Sequence, residues 1–549
     1  MREGRAWLVV VALACVATLP GLTTHGLTNW QESQRVLVAR SMQAHGGGWM
    51  DRLIPRVHEA PYLAKPPLFP LLVVGIAEVR GGRVSEVDAR LAAALLGILG
   101  VVMTFAAARE LARPVSADAG AEPRDGRAFA EGAALWAGAA LATAPLYVRS
   151  SRIAELDILL VPLTVAGVLA IARAYRRHLE HDAQAIGWVA LAALMAALAA
   201  LTKGPPALLS FAAVYVGIAA HAWLAGRGAR GEPRSRVGAV WRAMGRTHPA
   251  GVLGIGVLAY WGWLWLCKSR LGEEAVRASV GAEVEDNLKL LSAAAPLRYL
   301  ETLTWGGGLA SAGMIAFMAW VVLKRPRLAP GLWIAGSWAA GVAVVLALTT
   351  KGVPRYLTPI WPACAILAGA WLTSLVRDRA WAGRLTPAGL VLLLAVSAGY
   401  GAWYGYGRER YHAARSPRAF MEDVGARRGE GEKVFALEFW SGGLDFYAGE
   451  RVTPIGDTSL SPAIMGGGAI EIADLAAMLG DGRTAVVLAR ERQPERLATP
   501  EGLRQMLGAG LAVEDLEIPS AFVIDGGRTS VRAYRVFIVA GRVSPVPGS

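Results

Sequence analysis

The chain has 549 residues, 54% of them hydrophobic before its 64 glycines are counted, with 18% charged and a mean hydropathy of +0.39. Soluble domains run at roughly 45–50% apolar with glycine included, so this composition excludes a disordered chain and a multidomain soluble enzyme and leaves a polytopic membrane protein. The net charge of +13 is then a topology signal, because excess Lys and Arg gather in cytoplasmic loops, and it does not point to nucleic acid. Cys15, Cys267 and Cys364 lie in or beside apolar runs and make neither a disulfide framework nor a metal cluster.

Apolar runs of about 17–25 residues predict spanning helices. In chain order they fall at 6–23, 90–109, 129–147, 157–174, 186–201, 205–223, 249–267, 304–323, 330–349, 357–376 and 384–404, eleven in all. Arg2 and Arg5 precede the first run as in a signal peptide, but no clear small-x-small cleavage site follows, so it is read as an anchor. A further run at 66–78 opens with two prolines and is short, which fits a re-entrant or interfacial segment. With that run not crossing and the N-terminus inside, the loops 110–128, 175–185, 224–248, 324–329 and 377–383 are internal. Each carries at least two cations, among them Arg176 and Arg177, and Arg236, Arg242 and Arg246.

The outer side then holds 24–89, short turns at 148–156, 202–205 and 350–356, the 268–303 loop, and everything after 405. After 405 the pattern changes. Val434 to Leu437, Thr484 to Leu488 and Val531 to Val539 read as short strands between Gly-rich turns, with a helix near 470–479. The expected fold is mainly α: a polytopic bundle of about eleven spans over 1–405, followed by a small extracytoplasmic α/β domain over 406–549. No repeat or heptad pattern is evident.

Ionisable residues at the outer ends of spans carry the functional signal, since a charge near lipid is costly unless paired or used. The first outer loop holds Glu32, Arg35, Ala39 and Met42 at spacings that share related faces of a helix lying along the membrane, and later Tyr62 and Lys65 ahead of Pro66-Pro67. Arg152 and Asp157 stand at the mouth of the fourth span, Lys203 breaks two spans, and Lys351, Arg355 and Tyr356 break two more. Each alone is an ordinary solvated helix end. Together they set Lys65, Lys203, Lys351 and Arg355 with Glu32 and Asp157 on one face of the membrane. Cations there suit a lipid-borne phosphate or pyrophosphate, and an acid nearby suits a general base acting on a hydroxyl or amine.

The run QESQRVLVARSM…GGWMDRLIP…APYLAKPPLFPLL, then VDARLAAALLGILGVVMTF, resembles the N-terminal half of bacterial GT-C membrane glycosyltransferases. These are the family 39-like proteins related to protein O-mannosyltransferases and to the aminoarabinose transferase of lipid A. Arg152 to Asp157, Leu201 to Pro205 and Lys351 to Pro362 match further motifs in the same order, so the likeness covers residues 1 to about 405. It implies transfer of a sugar, with inversion, from a polyprenyl-phosphate donor to a lipid, glycan or protein acceptor at the periplasmic face of the bacterial inner membrane. It also implies catalytic or acceptor-orienting roles for Glu32 and Asp157. Lys65, Arg355 and Tyr356 would meet the donor phosphate, and Tyr62, Arg152, Lys203 and Lys351 complete the candidate substrate-binding set.

The sequence departs from the family at Gln31, where an Asp is usual, and at Gly46-Gly47-Gly48-Trp49, where Gly-Asp-Trp is usual. A carboxamide is no base at neutral pH, so Glu32 takes the role, or Asp157 does, or the chain is an inactive or reassigned relative. A transporter or flippase is the rival class, but such proteins often show two similar halves and ionisable groups deep inside helices. Eight scattered histidines do not make a zinc site, and no cofactor is indicated, leaving a divalent-metal requirement open.

Overall fold

A helix of about 20 apolar residues rises 1.5 Å per residue and so matches a hydrocarbon layer about 30 Å thick. That match organises most of this chain, here a computed structural model. The structure describes residues 6–45, 48, 50–115, 124–181, 183–225, 235–287, 292–377, 382–407, 415–458, 465, 467–479, 483–490, 492–493, 496–497, 499–507, 511–520, 522–524 and 529–538. By its contacts the chain divides into two units: 1–22, 65–72 and 89–405 form a helical unit, and 23–64, 73–88 and 406–549 form the other.

The helices through residue 402 are α1 (Ala6–Thr18), α2 (Trp30–Ala44), α3 (Leu68–Val79), α4 (Glu86–Leu111), α5 (Arg124–Ala142), α6 (Pro145–Ser150), α7 (Asp157–His181), α8 (Ile186–Lys203), α9 (Leu209–Ala225), α10 (Arg236–Thr247), α11 (Pro249–Leu271), α12 (Glu273–Asn287), α13 (Ala294–Trp305), α14 (Leu309–Lys324), α15 (Pro330–Thr349), α16 (Trp361–Arg377) and α17 (Ala382–Ala402). Among the described residues, eight helices are long and apolar enough to cross a membrane, or nine if the bent pair α13–α14 counts as one, against eleven expected. The two missing from that set are α1 and α5. The turn that starts at Pro20 ends α1 after 13 helical residues, and α5 begins with Arg124, Asp125, Arg127 and Glu131, which shorten its apolar part. At 12 residues α3 reaches only about 18 Å, too short to cross.

The span expected at 304–323 is broken. Gly306, Gly307 and Gly308 separate α13 from α14, which meet at 102°, and Gly308 sits at φ +52°, a conformation side chains resist. The loop expected at 268–303 contains α12 and the first part of that broken pair.

Helices of this unit approach closely where a side chain is missing. A Cβ on Gly369 of α16 would lie 2.3 Å from the Ala133 carbonyl of α5, and one on Gly313 of α14 would lie 2.4 Å from the Ala368 methyl. Such small-residue seams let dispersion contacts and backbone proximity hold helices together where lipid offers no hydrophobic gain.

In the other unit the sequence expectation of short strands holds. The sheet runs β4 (Thr453–Ile455), β3 (Lys433–Leu437), β5 (Thr484–Arg490), β10 (Thr529–Ile538), β8 (Leu511–Asp515), with β9 (Val523–Ile524) beside β10, while β6 (Arg492–Gln493) and β7 (Arg496–Leu497) form a separate antiparallel pair. β3 is parallel to β4 and β5, while β10 is antiparallel to β5 and β8. Alternate residues serve opposite faces, so Phe435, Leu437, Val487 and Tyr534 pack with helices 472–479 and 500–507. Val434, Ala436, Val486 and Ala533 pack with Phe420 and Val424 of the 418–427 helix. The first-loop segments of this unit contribute α2, a two-residue hairpin pair β1 (Arg56–Val57) and β2 (Ala60–Pro61), and the end of α3. The helix expected around Glu32, Arg35, Ala39 and Met42 forms as α2; it is buried on nearly all faces from Glu32 to Met42 and packs on the 442–448 helix.

Candidate functional site

In the helical unit, α7 starts at Asp157 and the antiparallel α8 ends at Lys203, so one acid and one cation meet at the same end of a packed helix pair. Both placements suit the helix dipoles, with the acid in a first turn and the cation in a last turn. Gly204, at φ +76°, stops α8 directly after Lys203, and Pro205 follows. Lys203 Nζ pairs with Asp157 Oδ1. The pair is sheltered: the Asp157 side chain is 4% exposed and that of Lys203 15%. Near full burial, an unpaired member of such a pair would be costly, so the two hold each other in place.

The turn after α15 completes the cluster. Its 3-10 segment Pro354–Ile360 packs on α7 and brings the Tyr356 ring to 4.2 Å from Lys203 Nζ, while the Arg355 guanidinium lies 5.3 Å from the same ring. Tyr356 is within electrostatic reach of Arg355, Asp157 and Tyr299. The turn is held from α13: the Tyr299 and Thr350 hydroxyls lie 2.7 Å apart, and Arg298 donates to the Lys351 carbonyl at 3.3 Å. Lys351 itself is exposed.

Five of the residues read from the sequence thus gather on one helix pair and one turn: Asp157, Lys203, Lys351, Arg355 and Tyr356. Lys65 also belongs to this unit, half-buried ahead of Pro66-Pro67. Arg152 does something the sequence did not suggest. Its guanidinium donates to the carbonyls of Ala17, Thr18 and Pro20, closing the open end of α1, and lies 5.9 Å from the Tyr404 ring. Tyr299, Thr350 and Arg298 escaped the sequence reading, because an isolated Tyr, Thr or Arg at a helix end carries no signal until its partner is known.

Glu32 and Tyr62 belong to the second unit. Glu32 is fully buried in the first turn of α2, whose N-cap is Asn29 accepting from the Gln31 N–H at 2.8 Å. Tyr62 accepts a hydrogen bond from Arg35 at 3.1 Å. Gly46, Gly47 and Trp49 lie outside the described residues. Among the described residues no group of three or more His, Cys, Asp or Glu could hold a metal.

A paired carboxylate and ammonium flanked by a guanidinium and a phenol ring can accept a proton from one ligand and oppose the charge of an anionic one. Residues 127–229, which include Asp157 and Lys203, match the family described as dolichyl-phosphate-mannose-protein mannosyltransferase. No curated protein matches the chain by sequence. Among solved structures, ArnT from Cupriavidus metallidurans bound to undecaprenyl phosphate has a TM-score of 0.69 and 20% identity over 100% of both chains. The apo form of that protein has a TM-score of 0.67 and 19% identity over 96% of each chain. The fold is therefore the ArnT-like GT-C fold, in a multi-pass membrane protein.

Proposed function

For a GT-C-fold chain with a family 39-like segment across Asp157 and Lys203, we propose glycosyl transfer from a polyprenyl-phosphate sugar to a lipid, glycan or protein acceptor. The observation that carries this reading is the Asp157–Lys203 pair backed by Tyr356 and Arg355 at one end of the bundle. Further support comes from the ArnT structure, whose bound molecule is undecaprenyl phosphate. Asp157 takes the proton from the acceptor hydroxyl or amine as its oxygen or nitrogen bonds to the anomeric carbon. The bond from that carbon to the phosphate oxygen breaks on the opposite face, with inversion, and the electron pair leaves on polyprenyl phosphate. Arg355 and Lys203 oppose the charge that develops there. The site works at the extracytoplasmic face of a bacterial inner membrane, the side opposite the basic loops.

The test is release of polyprenyl phosphate by the purified full chain, which should require acceptor. Asp157→Asn should lower turnover by at least about 100-fold while donor still binds. Full turnover in that variant overturns the role of Asp157. Lys203→Ala and Arg355→Ala should weaken donor binding, and unchanged affinity in both overturns the phosphate site.

A further inference from the structure

At the other end of α9 from the Lys203 turn lies a feature that glycosyl transfer leaves unused. The 17 residues of α9 carry the chain about 25 Å from that turn. After them α10 runs from Arg236 to Thr247 with the sequence RVGAVWRAMGRT, containing three arginines and no acid. His248, in a left-handed conformation, then turns the chain directly into the span α11. So short a connection holds α10 at the level where a spanning helix begins.

α10 packs on α9 and α7 through one face, where Ala243 and Thr247 are buried and the Thr247 carbonyl accepts from Tyr215 at 3.0 Å. At 100° per residue, its outward surface divides into two stripes. One holds Val237, 53% exposed, and Trp241, 74% exposed. The other holds Arg242, exposed, and Arg246, half-buried, while Arg236 stands at the helix start 5.9 Å from the ring of Trp223, itself 44% exposed. An apolar aromatic stripe beside a cationic stripe, fixed to the end of a span, is the pattern of a helix lying in the plane of a membrane interface.

We propose that α10 is a binding surface for anionic phospholipid, with Val237 and Trp241 entering the acyl boundary and Arg236, Arg242 and Arg246 holding the headgroup phosphates. Charge complementarity selects this occupant: an acid-free helix with three guanidinium groups fits the headgroup phosphates of a lipid with net negative charge. A zwitterionic lipid offers the same phosphate with its charge offset by its own ammonium group, so it meets the cationic stripe less well.

The experiment presents the detergent-purified full chain with equal amounts of phosphatidylglycerol and phosphatidylcholine of the same acyl chains. Retained lipid is counted by native mass spectrometry. Phosphatidylglycerol should be retained at least about tenfold over phosphatidylcholine. Arg236→Gln, Arg242→Gln and Arg246→Gln combined should cut that ratio at least about fivefold, with Arg242→Gln alone giving part of the loss. An unchanged ratio in the triple variant overturns the proposal. In vesicles, a bimane attached at Trp241→Cys should be quenched by doxyl-labelled lipid, and one at Arg242→Cys mainly by aqueous iodide. Iodide quenching without lipid quenching at Trp241→Cys overturns it as well, and marks the stripe as a face for solvent or a soluble partner.

Discussion

Asp157 and Lys203 show how a residue's neighbourhood changes its meaning. Each is an ordinary charged helix end in the sequence, 46 positions from the other, yet in the fold they form one sheltered ion pair. Neither single charge predicts the other; only the antiparallel packing of α7 and α8 does. Arg152 makes the reverse point. Its position beside Asp157 suggested ligand binding, but three main-chain carbonyls of the α1 end receive its guanidinium. Hydrogen bonds to a charged group contribute roughly 1.5–3 kcal/mol each, and leaving buried carbonyls unmet adds to the loss. Arg152→Ala should therefore destabilise the protein by about 3 kcal/mol or more, read as a lower melting temperature in detergent, with Arg152→Lys recovering part of it. Equal melting temperatures for wild type and Arg152→Ala would remove the capping role.

At the scale of elements, the hairpin β1–β2 is fixed by a chemistry that the sequence hides. His58 sits at its tip with φ +52°, and its Nε2 lies 2.7 Å from Oδ2 of Asp445, a fully buried carboxyl in the 442–448 helix. Oδ1 accepts from the Trp440 ring N–H at 3.0 Å and from the Val452 N–H at 3.1 Å. Burial pushes Asp445 up to about 6, and the contact with His58 and these hydrogen bonds only partly oppose it. A carboxyl raised in the fold stays protonated after its unfolded counterpart, near 3.9, has ionised. Its contribution to stability is complete below about pH 4 and is lost as pH rises through about 6. Asp445→Asn cannot titrate, so its stability relative to wild type should improve from pH 4 to pH 7. Thermal melts across that range check this, and a pH-independent difference would contradict it.

The glycine bend between α13 and α14 is an element legible only in part. The triplet Gly306-Gly307-Gly308 is visible in the sequence, but an apolar run through 304–323 reads as one straight span because hydropathy does not register backbone direction. Close approach across α5 and α16 gives a sharper test. Gly369→Val would drive side-chain atoms into the Ala133 backbone, and should lower the melting temperature by several degrees or prevent folding. Gly187→Ala, on a glycine with nothing within 4 Å of its added Cβ, should leave the melting temperature near wild type.

For the whole molecule, the arrangement of charge along the chain sets the expected orientation. Basic loops between spans alternate with loops holding the candidate site residues, so the former should face the cytoplasm. Alkaline phosphatase fused after Ser549 should be active in a bacterial host, and fused within 324–329 it should be inactive. The opposite result would invert the proposed orientation and move the candidate site to the cytoplasmic side. Contacts divide the chain differently from its linear order, since 23–64 and 73–88 group with 406–549. Hydropathy cannot anticipate that grouping, because it reads each segment alone.

The sequence by itself determined that this is a polytopic membrane protein with a strand-containing C-terminal part, and which charges stand at the ends of its spans. Those properties depend on composition and local periodicity, so neighbouring residues suffice to state them. Only the tertiary structure decided that Asp157 meets Lys203 beside Tyr356, that Arg152 serves the end of α1, and that His58 meets Asp445 387 positions away. Each of these is a pairing between distant segments, and packing alone selects which buried polar groups satisfy one another.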